Sequence, residues 1–352
     1  MTVQAHRVVQ WTTGNVGRQS VQSIVAHPDL ELVGCYAWSP DKAGRDVGEL
    51  CGLEPTGVAA TNDVAALLAL KPDCVVYNPM WIDVDELVRI LEAGINVVTT
   101  AAFITGHSLG AERRARIVDA CERGGSSIFG SGINPGLVDL LAIVAAGGCE
   151  RVDKLTVIEE ADISGYDSPA TEIPVGFSHP IDTPDLLAMT TKATDVFIDA
   201  VHLLGDVLGV EFDEVVCEAE YAQTTEDVDL GSWTIKAGCV AGIAFSWHGK
   251  VQGRSVVELR FVWRKGQTLE PDWPINTGHR VKVDGCPNVD VKVDISPPPD
   301  FKGTTLNDFM RLPMILTARP AVNAIAKTVA AAPGSVTYAD ILPLPRGLVS
   351  LR

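Results

Sequence analysis

Along the first 150 residues, apolar and polar positions fall into blocks that alternate between strand-like and helix-like spacing. An apolar run from Arg7 to Trp11 enters a short polar turn that holds Gly14 and Gly17. A helix-like stretch follows over Arg18–Ala26, then a second apolar run over Leu30–Tyr36. After a polar loop, "DVAALLAL" predicts a helix and "DCVVYNP" a strand. "WIDVDELVRILEAG" predicts an amphipathic helix with Leu87, Ile90 and Leu91 on one face and Gly94 as its stop. "INVVTTA" reads as strand, "GAERRARIVDACERGG" as helix and "SSIFGSG" as strand. Such alternation means a parallel sheet covered on both faces.

The pattern changes near residue 151. "RVDKLTVIEEADI" predicts a strand with charges at its end, and Pro169, Pro174, Pro180 and Pro184 then break the chain into loops. "DLLAMTTKATDVFIDAVHLLGDVLG" predicts one long helix. Runs of strand character follow, of which "HRVKVDG" and "VDVKVDI" alternate as half-exposed strands do. "SPPPD" at 296–300 is a hard break, and "MILTARPAVNAIAKTVAAAPG" predicts a helix that packs back on the first domain. The expected fold class is α/β: an N-terminal parallel sheet over 1–150 and an α+β domain with a mixed or largely antiparallel sheet over 151–300. A C-terminal segment over 301–352 returns to the first domain.

Composition is globular, with 46% apolar and 21% charged residues in 352. The formal charge of −17, without a basic block, argues against a nucleic-acid partner. Eight cysteines show no C-x-x-C spacing, and the histidines show no metal-ligand spacing, so reduced core thiols and no metal are expected. "MTVQAHR" leads straight into a strand, and no segment has about 18 uninterrupted apolar residues. A soluble, cytoplasmic protein is expected.

The first turn carries the most specific chemistry. A phosphate needs backbone N–H groups aimed at it, and a helix N-terminus supplies several unpaired ones with a positive dipole end. Glycine at fixed offsets allows the tight turn and the close approach. Against G-x-G-x-x-G, the segment Thr12, Thr13, Gly14, Asn15, Val16, Gly17, Arg18 has threonine at the first glycine position and glycine at the other two. The alternative is an ordinary βα turn. At the end of the second strand, Ser39, Lys42 and Arg45, with Arg18 facing them, favour the 2′-phosphate of NADP. Asp41 is the acid that NAD enzymes commonly place there.

These residues carry a resemblance. The chain resembles members of the dihydrodipicolinate reductase-like superfamily, most of all the branch with 2,4-diaminopentanoate dehydrogenase and the native amine dehydrogenases. "TTGNVG" is similar to the family's phosphate loop, and "VVYNP" and "NVVTTA" to strands whose ends line the nicotinamide. The resemblance therefore implies roles for Asn78, Pro79, Thr100 and Ala101 beside that ring. "GSGINPGLVDLL" resembles the link into the second domain, "VIEEADISGYDSP" its first strand and loop, and "ARPAVNAI" the closing helix. The family also implies a Rossmann-type first domain and a homodimer; the long insertion before the closing helix leads to the expectation of a substrate site in the cleft between the domains.

Two departures matter. Where true dihydrodipicolinate reductases carry His-His-x-x-Lys, the three places hold Ala161, Asp162 and Gly165, so a lysine-pathway reductase is not expected. Where amine dehydrogenases carry a glutamate after the "VVTT" strand, the stretch Ala101–His107 has no carboxylate. Hydride chemistry needs the protein mainly for positioning and for a proton. Candidates for the latter are His107, the carboxylates Glu160 and Asp162, which strand alternation sends to one side and Glu159 to the other, and the phenol of Tyr166. Each has an ordinary alternative: a helix-capping histidine, a solvated strand end, a structural tyrosine. Asn134 bonds the nicotinamide carboxamide or stabilises its own turn, and Trp81 could line the pocket. The expected activity is NAD(P)H-dependent reduction of a C=N or C=O bond of a small, fairly apolar substrate, in the manner of reductive amination. The alternatives are a carbonyl reductase or alcohol dehydrogenase without ammonia, and a non-catalytic NADP-binding sensor.

Overall fold

The computed structural model describes residues 5–340. The chain divides into two compact units, one built from the chain up to Leu137 and again from Pro313, the other from Val138–Leu312.

The first unit contains β1 (His6–Trp11), α1 (Asn15–Val25), β2 (Leu30–Tyr36), α2 (Val47–Cys51), β3 (Ala60–Thr61) and α3 (Val64–Ala69). It continues with β4 (Cys74–Tyr77), α4 (Val84–Glu92), β5 (Asn96–Thr99), α5 (Ala111–Gly124) and β6 (Ser127–Gly130). Strand Gly334–Val336 completes a seven-stranded sheet in the order Gly334–Val336, β6, β5, β4, β1, β2, β3, with every strand pairing parallel. One face packs Val9, Trp11, Val75 and Tyr77 against Leu87, Ile90 and Leu91 of α4 and Ile117 of α5. The other packs Val21 of α1 and Leu50 of α2 against Cys35. Burial on both faces is why these strands read as near-continuous apolar runs. The carboxylate of Asp83 caps α4, accepting from the backbone N–H of Asp85 at 2.9 Å and of Glu86 at 3.1 Å.

The second unit opens with α6 (Val138–Ala146), β7 (Arg151–Asp162), α7 (Pro169–Glu172), α8 (Leu186–Ala193), α9 (Val196–Leu208) and β8 (Glu214–Thr224). After a ribbon of β9 (Val228–Asp229) and β10 (Thr234–Ile235) come β11 (Val240–Val251), β12 (Arg254–Arg264), β13 (Leu269–Glu270), β14 (Gly278–Cys286) and β15 (Val289–Val293). Its sheet runs β13, β8, β11, β12, β7, β14, β15, antiparallel except where β12 pairs β7. The expected mixed, largely antiparallel sheet is present. On its covered face Phe197 of α9 packs on Phe245 and Phe261, with ring centroids 6.0 and 4.1 Å away.

Three expectations need correction. The division falls after Leu137 and not at residue 150, because α6 packs on β7 and β14 of the second unit. The second unit likewise runs on to Leu312 and does not stop at residue 300. The single long helix is two, broken at Thr194 and Asp195. The Thr194 hydroxyl donates to Thr190 O at 2.7 Å and accepts from the Trp247 indole N–H at 3.0 Å, a local alternative to continuing the helix. The closing helix, Leu306–Val329, buries Ala318, Ala321, Val322 and Ile325 in the first unit. Among the described residues no helix is long and apolar enough to cross a membrane.

Candidate dinucleotide and catalytic site

The carboxyl ends of β1, β4 and β5 are tied by one polar network. Gln10, fully buried, sends its amide N–H groups to Trp11 O (3.1 Å), Thr12 O (3.0 Å) and Asn78 Oδ1 (2.8 Å). Thr12 Oγ1 donates to Asn78 O at 2.9 Å, and the Asn78 amide donates to Thr100 Oγ1 at 2.8 Å. The Ala101 N–H is held by Thr99 Oγ1 at 2.9 Å. These bonds hold Asn78, Thr100 and Ala101 on one edge, with Pro79 half-buried beside them.

The turn is shaped for close approach. Thr12, at the first glycine position of the fingerprint, has φ +74°, a left-handed conformation that a β-branched residue adopts at a cost. Its two side-chain and carbonyl bonds compensate. Gly17 lies under Thr12: a Cβ there would come within 2.4 Å of Thr12 O, so glycine alone lets α1 pack on β1. Gly14 is the opposite case, since a Cβ there would meet no atom within 4 Å. It is the N-cap of α1, has no capping side chain, and is followed by a first turn without an acid. The helix therefore starts at Asn15, at the turn itself, where its first N–H groups have no partner within the helix and Gly14 leaves open space beside them. That cradle fits a pyrophosphate.

Lys42 Nζ donates to Thr13 Oγ1 at 3.2 Å, which ties an ammonium to the turn. Ser39 and Asp41 are hydrogen-bonded to each other, and Arg18 and Arg45 are exposed. Asn134 is half-buried and joined to Pro135 by a cis peptide bond. His107 opens a single 3₁₀ turn, with Nδ1 2.8 Å from Thr105 Oγ1. Trp81 is exposed, as are Trp38 and Met80, on the loops after β4 and β2.

In the second unit the end of β7 separates its three carboxylates. Glu160 accepts from the Asn276 N–H at 2.5 Å; Asp162 accepts from the Ser164 N–H (2.9 Å) and from Gln267 (3.2 Å). The two carboxylates share an edge but no partner, and both hold loop backbone or side chains. Tyr166 is exposed on the following loop. Glu159 turns to the helix-covered face. Its Oε1 accepts from the Trp263 indole at 2.9 Å, and its Oε2 lies 3.2 Å from His279 Nε2, on the residue directly opposite in β14. His279 Nδ1 is buried without a hydrogen-bond partner among the described residues. A histidine oriented by a carboxylate, with its second nitrogen unspent, is an arrangement suited to proton transfer. Gln10 and His279 were not singled out from sequence. A polar residue inside an apolar strand run was the available signal for Gln10, while only cross-strand register brings His279 to Glu159. Among the described residues, no cluster of three or more His, Cys, Asp or Glu could hold a metal ion.

The 2,4-diaminopentanoate dehydrogenase C-terminal domain model matches residues 137–351. The chain belongs to that dehydrogenase family. Residues 8–105 match the N-terminal domain model of dihydrodipicolinate reductase. A Streptomyces virginiae amine dehydrogenase is 32% identical over 81% of this chain and 84% of its own. The 2,4-diaminopentanoate dehydrogenase of Acetoanaerobium sticklandii is 28% identical over 75% of this chain and 71% of its own. Among solved structures, an amine dehydrogenase from Mycobacterium smegmatis has the same fold, with a TM-score of 0.75 at 17% identity over 97% of this chain and 98% of its own. The family member described here is thus an oxidoreductase whose Rossmann-type unit is of the kind that binds NAD(P).

Proposed function

We propose that this dehydrogenase interconverts a small, fairly apolar ketone and its amine, using NADPH and ammonia in the reducing direction. The observation that carries the reading is the Thr12–Gly17 turn: an open, side-chain-free helix start at Gly14 beneath the ammonium of Lys42. Thr12, Thr13, Gly14, Asn15, Val16, Gly17 and Arg18 would hold the pyrophosphate. Lys42, with Ser39 and the exposed Arg18 and Arg45, supports NADP over NAD through its 2′-phosphate. Asn78, Pro79, Thr100 and Ala101 would border the nicotinamide, and Asn134 its carboxamide. The bound nicotinamide would supply the hydride.

Ammonia adds to the ketone carbon and water leaves, giving an imine that takes one proton and one hydride to become the amine. The proton is the task of this chain. His279, oriented by Glu159, is suited to deliver it; Glu160 and Asp162 suit a cationic amine, and His107 and Tyr166 the polar end of the substrate. The relatives' names, amine dehydrogenase and 2,4-diaminopentanoate dehydrogenase, support amine chemistry. The missing carboxylate between Ala101 and His107 favours the second reading, a carbonyl reductase or alcohol dehydrogenase on the same scaffold. NADPH oxidation with a panel of ketones, with and without ammonia, separates the two: turnover independent of ammonia sinks the amine reading. A cytoplasmic homodimer is part of the same proposal, tested by light scattering of the purified protein.

A further inference from the structure

Lys265 follows directly on β12 and is fully buried. Its ammonium meets three oxygens: Ile163 O at 2.8 Å, Tyr166 O at 2.9 Å and Glu172 Oε1 at 2.7 Å. All three of its donors are used. The rings of Trp233 and Phe177 lie 5.4 and 6.0 Å from Nζ. Glu172, itself buried, accepts from the Ser168 N–H at 3.3 Å with its other oxygen. Asp167 and Asp162 are the other acids that act on the ammonium. Beside it the Gly266 N–H donates to Ser164 Oγ at 2.9 Å, and the Ile163 N–H to Arg264 O at 2.9 Å.

One side chain, about a hundred residues away in sequence, therefore holds two carbonyls and one carboxylate of the loop 163–172. Ser164 and Asp167 are also held from outside the loop, by the Gly266 N–H and the Ser232 hydroxyl, while Tyr166 and Asp167 at its centre are exposed. A buried ion pair is a poor source of stability, because desolvation offsets its attraction; its best use is to select one geometry. We infer that Lys265 and Glu172 are positioning residues, which fix the 163–172 loop so that Tyr166 is presented to the organic substrate. The inference rests on the proposed amine dehydrogenase reading for the identity of that substrate.

The test compares Lys265→Met, Lys265→Arg and the double variant Lys265→Met/Glu172→Leu in the full-length protein. Expected for Lys265→Met is a KM for ketone raised at least tenfold with the KM for NADPH within twofold. Lys265→Arg is expected to recover part of that loss. In the double variant the melting temperature returns to the wild-type value or above, while the ketone KM stays high. A merely structural pair would restore both together, and that result overturns the inference, as does a ketone KM that never moves. Amide hydrogen exchange across 163–172 reads the anchoring without turnover: faster exchange in Lys265→Met and in the double variant supports it, unchanged exchange refutes it. If the wild-type protein turns over no ketone with ammonia, the proposed reaction fails, and the exchange measurement still decides whether Lys265 anchors the loop.

Discussion

Gly17 sits against the carbonyl of Thr12 so closely that a single methyl group would come within 2.4 Å of the oxygen. At Gly14, three residues earlier, the same methyl group would meet no atom within 4 Å. Gly17 thus serves helix–strand packing, whereas the role proposed for Gly14 is to leave room for the cofactor. Gly17→Ala is expected to destabilise the fold by about 1–3 kcal/mol through overpacking. Gly14→Ala should leave the melting temperature nearly unchanged while raising the NADPH dissociation constant about tenfold, or about 1.4 kcal/mol. Thermal melts beside a fluorescence titration with NADPH would check the pair. Equal effects from both substitutions would contradict the division of roles.

Lys42 reaches the turn proposed to hold the pyrophosphate, donating to Thr13 Oγ1 at 3.2 Å. Removing an ammonium that bonds a phosphate costs about 1.5–3 kcal/mol. Lys42→Ala is therefore expected to raise the KM for NADPH roughly tenfold or more and to leave that for NADH within a few-fold. The preference for NADPH should also weaken as salt rises. A wild-type enzyme that prefers NADH would reverse the assignment of this edge.

The two N–H groups of the fully buried Gln10 amide are shared among three acceptors. Gln10→Leu removes a donor from the Thr12 carbonyl and from the Asn78 amide oxygen, each at about 1–3 kcal/mol if left unsatisfied, while Trp11 O keeps the Asn78 N–H at 3.2 Å. Urea unfolding should show a loss at the upper end of that range, with weaker cofactor binding through a displaced Asn78. A variant of native stability and affinity would mean that the network merely fills space.

Glu86 accepts from the Tyr77 hydroxyl at 2.7 Å, and burial pushes its carboxyl above its ordinary value. A raised folded-state value means that the contribution to stability is fully present below the unfolded pKa and is lost as pH rises through the folded one. Glu86→Gln keeps an acceptor for Tyr77 and removes the titration. Its melting temperature is expected to exceed the wild type at neutral pH, with the difference closing below about pH 4. A gap that widens on acidification would show the opposite sign.

His279 and Glu159 form the proposed proton-transfer pair, with Trp263 holding the carboxylate. His279→Ala is expected to lower kcat for ketone and ammonia by about 10² to 10³, the usual contribution of a general acid, with the NADPH affinity unchanged. Glu159→Gln should show a smaller loss and a shifted pH profile. Full activity in His279→Ala would return the role to Tyr166 or His107.

Much of the first unit was legible in the chain. The runs Arg7–Trp11 and Leu30–Tyr36, the apolar face of Leu87, Ile90 and Leu91, the stop at Gly94 and the glycine turn are local signals. Each depends on contacts within a few residues or on the period of burial. The second unit was legible as strand-rich but not in detail. The break at Thr194 needed a tryptophan from β11, and the boundary at Leu137 depended on what α6 packs against. Glu160 and Asp162 were correctly placed on one side of a strand, yet alternation says nothing of the loops that engage them.

By itself the sequence determined the βα alternation, the glycine turn after β1 and the strand-rich second unit, because local periodicity and glycine spacing suffice for these. Only the tertiary structure decided the rest. It stretched Thr12 into a left-handed turn over Gly17, buried Gln10 between strand ends, set His279 opposite Glu159 and drove Lys265 into the 163–172 loop. Those relationships join residues far apart in the chain through register and burial, and neither quantity is written in the order of the amino acids.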